Sequence, residues 1–203
     1  MLYTMNNKTG MSIRTFFSKS IKVCFVAIKS LLLKNDTMRW KNIAKESPKY
    51  WEKRNSIIAS FIPQGYSVID IGSGNQSLKK FLSAGCRYQP CDLITIHDHT
   101  MFCDFNSEIY PKVNSPFDIV VCSGVLEYAN DPLAVVYNLI KLGDSMLLSY
   151  AISKPNDMRF SRILRGWKNH MTSDEIEGMF IRLQIKWNLV AEWNNQNIYQ
   201  LTK

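Results

Sequence analysis

The stretch 67–77, SVIDIGSGNQS, ends an apolar run in an aspartate and follows it at once with two glycines. Continuous apolar runs of this length are typical of strands that are buried on both faces of a parallel sheet. Gly72 and Gly74 let the backbone of the following turn approach a ligand closely, because neither carries a side chain. The stretch therefore predicts a central strand followed by a ligand-binding turn.

Strand and helix patterns alternate from about residue 45 onwards. Strands are predicted over YSVIDIG, CRYQPCDLI, TMFCDF, FDIVVCSGV and SMLLSYAI, with WNLVAEW and NIYQLT as a closing pair. Helices are predicted over SPKYWEKRNSIIASFI, SLKKFLSAG, DPLAVVYNLIKLG and TSDEIEGMFIRL. Asp131 is placed to cap the third of these helices, and Thr172 and Glu175 have the spacing of a capping box in the fourth. This alternation indicates an α/β fold with a parallel core.

Three acidic points are expected at the same edge of this sheet, where ligands of such folds bind. They are Asp70, Asp92 and the pair Asp104-Phe105. A carboxylate at Asp92 can accept hydrogen bonds from both hydroxyls of a ribose. A dinucleotide fingerprint needs a third glycine where Ser77 stands, and Asp70 would repel a pyrophosphate. The pattern therefore favours a cationic sulfonium ligand, S-adenosylmethionine, over NAD.

The order of these segments resembles a known family. VIDIGSGNQ is similar to motif I of the class I S-adenosylmethionine-dependent methyltransferases, D-x-G-x-G-x-G. CDF is similar to their adenine motif, FDIVVCSGVLEYANDP to their strand-four motif, and NHMTSDEIEGMF to their late helix. Residues 45–203 resemble small type-11-like methyltransferases of bacterial surface-polysaccharide or natural-product biosynthesis. The resemblance implies a Rossmann-like, doubly wound, mostly parallel sheet with a terminal antiparallel strand. Residues 1–44 are predicted separately, from their own pattern, to form a basic amphipathic helical extension.

The resemblance also implies a cofactor site, position by position. The residues that it assigns to S-adenosylmethionine are Asp70, Gly72, Ser73, Gly74, Asp92, Leu93, Asp104, Phe105, Cys122 and Ser123. Asp70 is expected at the amino group of the cofactor, Asp92 at the ribose, and Asp104 with Phe105 at the adenine. Two departures stand out. Gln76 occupies the last glycine position of motif I, and the short segment between Asp92 and Asp104 predicts a turn where the family has a helix.

Catalysis by such a site depends mainly on positioning and desolvation, because a sulfonium is already a good leaving group. A hydroxyl acceptor would still gain from a general base. Glu127 and Tyr128, which follow the fourth strand, and His97 are the catalytic candidates; His99 and His170 are further ones. A structural role remains the alternative for each of them.

Cysteine and histidine usage predicts no metal site. Cys91, His97, His99 and Cys103 have a spacing that matches no familiar zinc motif, and the two cysteines are interpreted as apolar strand residues. The five cysteines include no C-x-x-C pair, which favours a reducing cytosol.

The net charge of +8 is concentrated in the N-terminal part of the chain. Residues 1–60 contain twelve Lys and Arg against three acids, whereas residues 61–203 contain thirteen against fourteen. Residues 13–34 carry apolar side chains at helical spacing with basic residues beside them, and their longest uncharged run is six residues. This run is too short to span a bilayer. The segment is expected to pack on the domain or on a second copy in a homodimer, to contact a membrane surface at the inner face of the cell membrane, or to remain a disordered leader.

Three functions follow from the sequence. The first is a methyltransferase acting on a small-molecule, sugar or lipid-linked acceptor, with O-methylation expected. The second is a non-catalytic module that binds S-adenosylmethionine. The third, an RNA methyltransferase, is disfavoured because the domain itself is slightly acidic and the segment after strand four lacks an amino-methylation motif.

Overall fold

The computed structural model describes residues 37–45, 49–155, 157 and 159–203, and the predicted helix over 13–34 lies outside them. Its strands are β1 Ser67–Ile71, β2 Arg87–Asp92, β3 Met101–Phe102, β4 Phe117–Ser123, β5 Gly143–Ala151, β6 Lys186–Trp193 and β7 Gln196–Thr202. Its α-helices are α1 Thr37–Lys45, α2 Tyr50–Ala59, α3 Pro132–Leu139, α4 Arg159–Leu164 and α5 Ser173–Arg182. Short 3-10 helices cover Ser77–Phe81, Phe105–Ser107, Leu126–Tyr128 and Ile140–Leu142.

The seven strands form one sheet in the order β3-β2-β1-β4-β5-β7-β6. Strands β1 to β5 pair in parallel, whereas β7 runs antiparallel to both β5 and β6. The predicted mostly parallel sheet with antiparallel strands at its end is therefore confirmed. Because β1 pairs with β2 on one side and β4 on the other, the strand order reverses at β1, and this position is where ligands of open α/β sheets bind.

Apolar side chains cover both faces of the sheet. On one face, Val136 and Leu139 of α3 and Phe180 of α5 pack against residues such as Val120 of β4. On the other face, Ile58 of α2 and Leu78 belong to a second buried cluster. All five residues of β1 are buried, as expected for a central parallel strand.

Both predicted helix caps are confirmed. The Asp131 carboxylate accepts a hydrogen bond from the Ala134 N–H at 3.0 Å, and Pro132 begins α3. Thr172 and Glu175 form a reciprocal capping box at the start of α5. These local signals place the helices that follow β4 and precede β6.

The predicted helix over SLKKFLSAG is not an α-helix, and this expectation was wrong. Only the 3-10 helix Ser77–Phe81 forms, and Leu82 is extended. Of the expected apolar face, Leu78 is buried but Phe81 is 37% exposed. A helix of this length is marginal without a buried face, so the segment keeps a single tight turn.

The segment between β2 and β3 contains bends and turns without a helix, as the short Asp92–Asp104 spacing predicts. Within the described ranges, no helix is long and apolar enough to cross a membrane.

Candidate functional site

An open cleft lies beyond the carboxyl ends of β1, β2 and β4, at the reversal of strand order. Its empty volume is about 1020 Å³ with the solvent at its mouth included. Nine of the ten predicted cofactor residues line it: Asp70, Gly72, Ser73, Gly74, Asp92, Leu93, Asp104, Phe105 and Ser123. The tenth, Cys122, is fully buried in the core and is not part of the cleft lining.

The turn after β1 needs its glycines for different reasons. Gly72 has φ +69°, and a Cβ added there would lie 2.2 Å from Cγ2 of Val125. Gly74 has φ +51°. Gln76 also has a left-handed φ of +58°, so the residue that replaces the last glycine of the motif keeps a glycine-like backbone. The backbone at position 76 therefore has the left-handed conformation that a glycine adopts without strain.

Asp70 is a buried carboxylate at the end of β1. The Tyr88 hydroxyl of β2 donates a hydrogen bond to Asp70 Oδ2 at 2.6 Å. Burial raises the pKa of Asp70 to about 7, with Asp92 adding to the shift, whereas the Tyr88 hydrogen bond and the Arg54 charge oppose it. Asp70 thus presents to the cleft a carboxyl whose charge changes near neutral pH.

Asp92 closes β2 and is held by backbone donors. Its Oδ2 accepts from the Gly74 N–H at 2.8 Å, and its Oδ1 accepts from the Ile94 N–H at 2.9 Å. Burial raises the pKa of Asp92, and these hydrogen bonds oppose the shift. The glycine turn and the end of β2 are therefore joined through one carboxylate.

Arg54 of α2 is the charged residue among the cleft residues that sequence reasoning missed. Its guanidinium is buried, Nη1 donates to Gln196 Oε1 at 3.2 Å, and its Cζ lies 5.6 Å from the centre of the Trp51 ring. Nε has no hydrogen-bond partner, and no carboxylate of the described chain forms an ion pair with Arg54. Burial lowers the pKa of the guanidinium.

Gly124, directly after β4, makes room for this guanidinium. It has φ +65°, and a Cβ there would lie 2.3 Å from Arg54 Nη1. The "CSGV" segment therefore needs a glycine because a cation lies against it. Gly124 is the one sequence signal for the buried guanidinium, since nothing local distinguishes Arg54 from the neighbouring basic residues of α2.

Aromatic side chains form one wall of the cleft. Trp40 of α1 meets Tyr128 edge-on, with ring centres 4.5 Å apart, and both line the cleft. The Trp167 indole N–H donates to the Tyr128 hydroxyl at 3.0 Å. Burial raises the pKa of Tyr128 to about 12, so this hydroxyl stays protonated at neutral pH. The wall is thus apolar with one fixed hydroxyl group.

Glu127 is separated from the cleft. It is 1% exposed, its Oε1 accepts from the Ala151 N–H at 2.8 Å, and it does not line the cleft. Burial raises its pKa, and Arg54 and Arg162 oppose the shift. This placement makes Glu127 a support for the end of β5, and its catalytic role stays a prediction.

The histidine candidates also stand apart from the cleft. His97 and His99 lie in the turn between β2 and β3, and His97 is close enough to Asp92 for its charge to lower the carboxyl pKa. Of the part of the chain that the structure covers, no histidine lines the cleft. Their catalytic roles stay predictions without geometric support.

Asp104 and Phe105 line the cleft beside β3. Asp104 Oδ1 accepts from the Asn106 N–H at 3.1 Å, and Oδ2 accepts from the Ser107 hydroxyl at 2.8 Å. The Phe105 ring stacks on Tyr110 with centres 5.5 Å apart. Asp104 thus shapes the short 3-10 turn that presents Phe105.

No grouping of His, Cys, Asp and Glu among the residues described here could hold a metal ion. Cys91 and Cys103 are buried free thiols of the core, and Cys103 also lines the cleft. Cys103 hydrogen-bonds with Cys91, and this contact together with burial raises the pKa of Cys103.

No protein-family model matches this chain, and no curated protein matches it in sequence. Solved structures match its fold. A Nostoc punctiforme protein provisionally assigned as an O-methyltransferase is 14% identical with a TM-score of 0.60, and the match covers 81% of this chain and 60% of that one. The mitomycin 7-O-methyltransferase MmcR is 13% identical with a TM-score of 0.58, and the match covers 81% of this chain and 60% of MmcR.

A third match carries a bound ligand. CalO1, a methyltransferase of calicheamicin biosynthesis solved with S-adenosylhomocysteine bound, is 14% identical with a TM-score of 0.56, and the match covers 95% of this chain and 61% of CalO1. This chain therefore spans about 60% of the length of each of the three proteins. At such identities the likeness shows the fold alone, a Rossmann-like α/β fold that this chain shares with these methyltransferases.

Replacement of Gln76 tests the interpretation of the turn. A non-glycine residue in the left-handed region costs about 1 kcal/mol, and glycine recovers this cost less its larger loss of backbone entropy. We expect Gln76→Gly to leave the free energy of unfolding unchanged or raise it by up to about 1 kcal/mol, whereas the control Gln76→Ala gains nothing. Urea denaturation of the three proteins measures the difference. A loss above about 1 kcal/mol in Gln76→Gly would show that the side chain, through its 3.5 Å contact with Thr100, matters more than the backbone strain.

Proposed function

We propose that this chain is an S-adenosylmethionine-dependent methyltransferase that acts on a small-molecule, sugar or lipid-linked acceptor, with oxygen as the methylated atom. The observation that carries the proposal is a pair of opposite buried charges, Arg54 and Asp70, in one cleft. An amino-acid group carries a carboxylate and an ammonium, which are the partners that these two side chains lack. Asp92, at the neighbouring strand end, is placed for a ribose.

The cleft fits the cofactor by a second criterion, which is the presence of buried polar atoms without partners. Ser73 Oγ and Arg54 Nε are both buried without a hydrogen bond, and both residues line the cleft. Buried polar groups are normally hydrogen-bonded, so such atoms at a cleft wall indicate a bound polar ligand. Ser73 Oγ would hydrogen-bond the methionine part, which would lie against Gly72 and Gly74.

When bound, S-adenosylmethionine supplies a methyl group on a sulfonium. The residues of the chain would contribute position and exclusion of water. Trp40 and Tyr128 would hold an acceptor against the cleft wall, and the Tyr128 hydroxyl would donate a hydrogen bond to it. No histidine from the described residues lines the cleft, so the general base from which a hydroxyl acceptor would gain is not one of them.

Cofactor binding followed by methyl transfer tests the proposal. We expect calorimetry to show binding of S-adenosylmethionine, abolished in Asp92→Ala, and expect methyl-labelled cofactor to label the lipid or glycan fraction of a cell extract. Tight binding of NAD instead would refute the assignment. Cofactor binding without transfer to any fraction would support the non-catalytic module, and label in RNA would support an RNA methyltransferase.

Arg54 provides a sharper test, because it is expected to bind only the carboxylate of the cofactor. Hydrogen bonds between charged groups contribute about 1.5–3 kcal/mol, so Arg54→Gln should weaken S-adenosylmethionine binding about 10- to 100-fold. Binding of 5′-methylthioadenosine, which has no carboxylate, should be unchanged. Lys53→Gln, at the exposed neighbouring position, is the control. An equal loss for both ligands would mean that Arg54 supports the fold and does not bind the carboxylate.

The pH dependence of binding tests Asp70. Its pKa of about 7 means that the carboxylate needed by an ammonium is lost as pH falls, so affinity should drop about tenfold per pH unit below 7. Tyr88→Phe removes a hydrogen bond to the charged form, which raises the pKa of Asp70 and moves the midpoint upward. Calorimetry between roughly pH 5 and 7.5, below the titration of the cofactor ammonium, measures both. A midpoint that Tyr88→Phe leaves unmoved would contradict this role of Asp70, and 5′-methylthioadenosine should show no such dependence.

A further inference from the structure

A cationic surface with protruding apolar side chains borders the cleft. We call it the cationic rim; it comprises Lys41 and Lys45 of α1, Phe160 and Ile163 of α4, and Arg165 and Lys168 after α4, all of them exposed. Neither segment 37–45 nor segment 159–171 contains an acidic residue. Phe160 is 71% exposed and Ile163 is 41% exposed, and their spacing of three places them on one helix face.

The two segments of the rim contact each other. A Cβ at Gly166 would lie 2.2 Å from Arg39 Nη1, so the Arg39 guanidinium of α1 lies directly over the loop that follows α4. Trp40 and Trp167 both contact Tyr128, one by its ring edge and the other by its indole N–H. Both segments of the rim therefore meet the cleft wall at Tyr128.

Helix α4 is held in place from its other side. Arg162 is 4% exposed, and its guanidinium donates to the backbone carbonyls of Ala151 and Ile152 at the end of β5. It also pairs with Asp157 at 2.9 Å and lies over the Trp167 ring. A polar anchor faces the sheet, while Phe160 and Ile163 of the same helix face solvent. This arrangement is the reverse of an ordinary surface helix, whose apolar side chains face the core.

We propose that the cationic rim docks on an anionic lipid membrane. Exposed apolar side chains surrounded by basic ones match an interface in which phosphate groups lie above hydrocarbon. A second copy of the same rim would be repelled by its charge. A nucleic acid backbone offers no apolar surface on which Phe160 and Ile163 could be buried. The basic amphipathic pattern of residues 13–34 precedes α1 in the chain and favours the same partner. Docking would bring the mouth of the cleft to a lipid-linked acceptor, a consequence that rests on the proposed function.

Vesicle co-sedimentation with the full-length chain tests the proposal. We expect binding to vesicles of phosphatidylcholine and phosphatidylglycerol in equal parts, and little binding to phosphatidylcholine alone. Burying a Phe or Ile side chain supports about a tenfold gain in binding or more, so the double substitution Phe160→Ser/Ile163→Ser should weaken the interaction at least about tenfold. Arg165→Glu/Lys168→Glu should weaken it as well, and added salt should weaken the parent protein but affect this variant less.

Ile181→Ser is the matched control, because Ile181 is an equally exposed apolar residue at 68% on helix α5, outside the rim. It should bind vesicles like the parent protein. Equal binding to both vesicle types, or binding unchanged by the Phe160 and Ile163 substitutions, would overturn the proposal. Absent vesicle binding together with binding to polyglutamate would assign the rim to an acidic protein and would likewise overturn it.

Calorimetry with S-adenosylmethionine on the same samples separates the two proposals. Cofactor affinity should be the same in the parent protein and in every rim variant, since no substituted side chain lines the cleft. Loss of vesicle binding with intact cofactor binding identifies the rim as the docking surface. Intact vesicle binding in a protein that binds no cofactor would refute the proposed function and leave the membrane contact standing.

Discussion

The parallel pairing of β1 with β2 and with β4 is the constraint on which the site depends. It places Ile71, Cys91 and Cys122 side by side, so the residues that follow these strands enter one cleft. The backbone strengthens this convergence, because the Gly72 N–H donates to the Cys91 carbonyl at 2.7 Å. The turn after β1 and the end of β2 are thus a single hydrogen-bonded unit, and a ligand there meets a preformed surface.

The sequence was sufficient to predict the strands, the caps and the cleft residues that follow the strands, because these depend on local patterns. Continuous apolar runs predict buried parallel strands, and Asp70 and Asp92 follow them directly. The helix over 77–85 was predicted wrongly, because its apolar spacing says nothing about whether a sheet surface remains to be covered. Arg54 could not be predicted, since its burial depends on Gln196 and Gly124, which are distant in sequence.

Buried charge in this fold supports two different tasks. Asp70 and Arg54 are buried at the cleft, where neither forms an ion pair with another described residue, so part of their desolvation cost is not compensated. Glu127 and Arg162 lie further inside and bind the backbone at Ala151 and Ile152. These two residues hold the end of β5 and α4. The same residue types therefore line a cleft in one place and fix backbone in the other, and their position in the fold distinguishes the two.

No α-helix follows β1 or β2 directly, and this affects which residues cover the cleft. A 3-10 helix follows β1 and a bent turn follows β2, so neither connection extends far over the carboxyl ends of these strands. Trp40 and Ala44 of α1 line the cleft instead, although the predicted boundary at residue 44 assigns both to the N-terminal extension. Because Arg39 of α1 also lies over the loop at Gly166, this one short helix contacts both the cleft and the cationic rim. Helix α1 thus belongs to the wall of the site, where Trp40 packs edge-on against Tyr128.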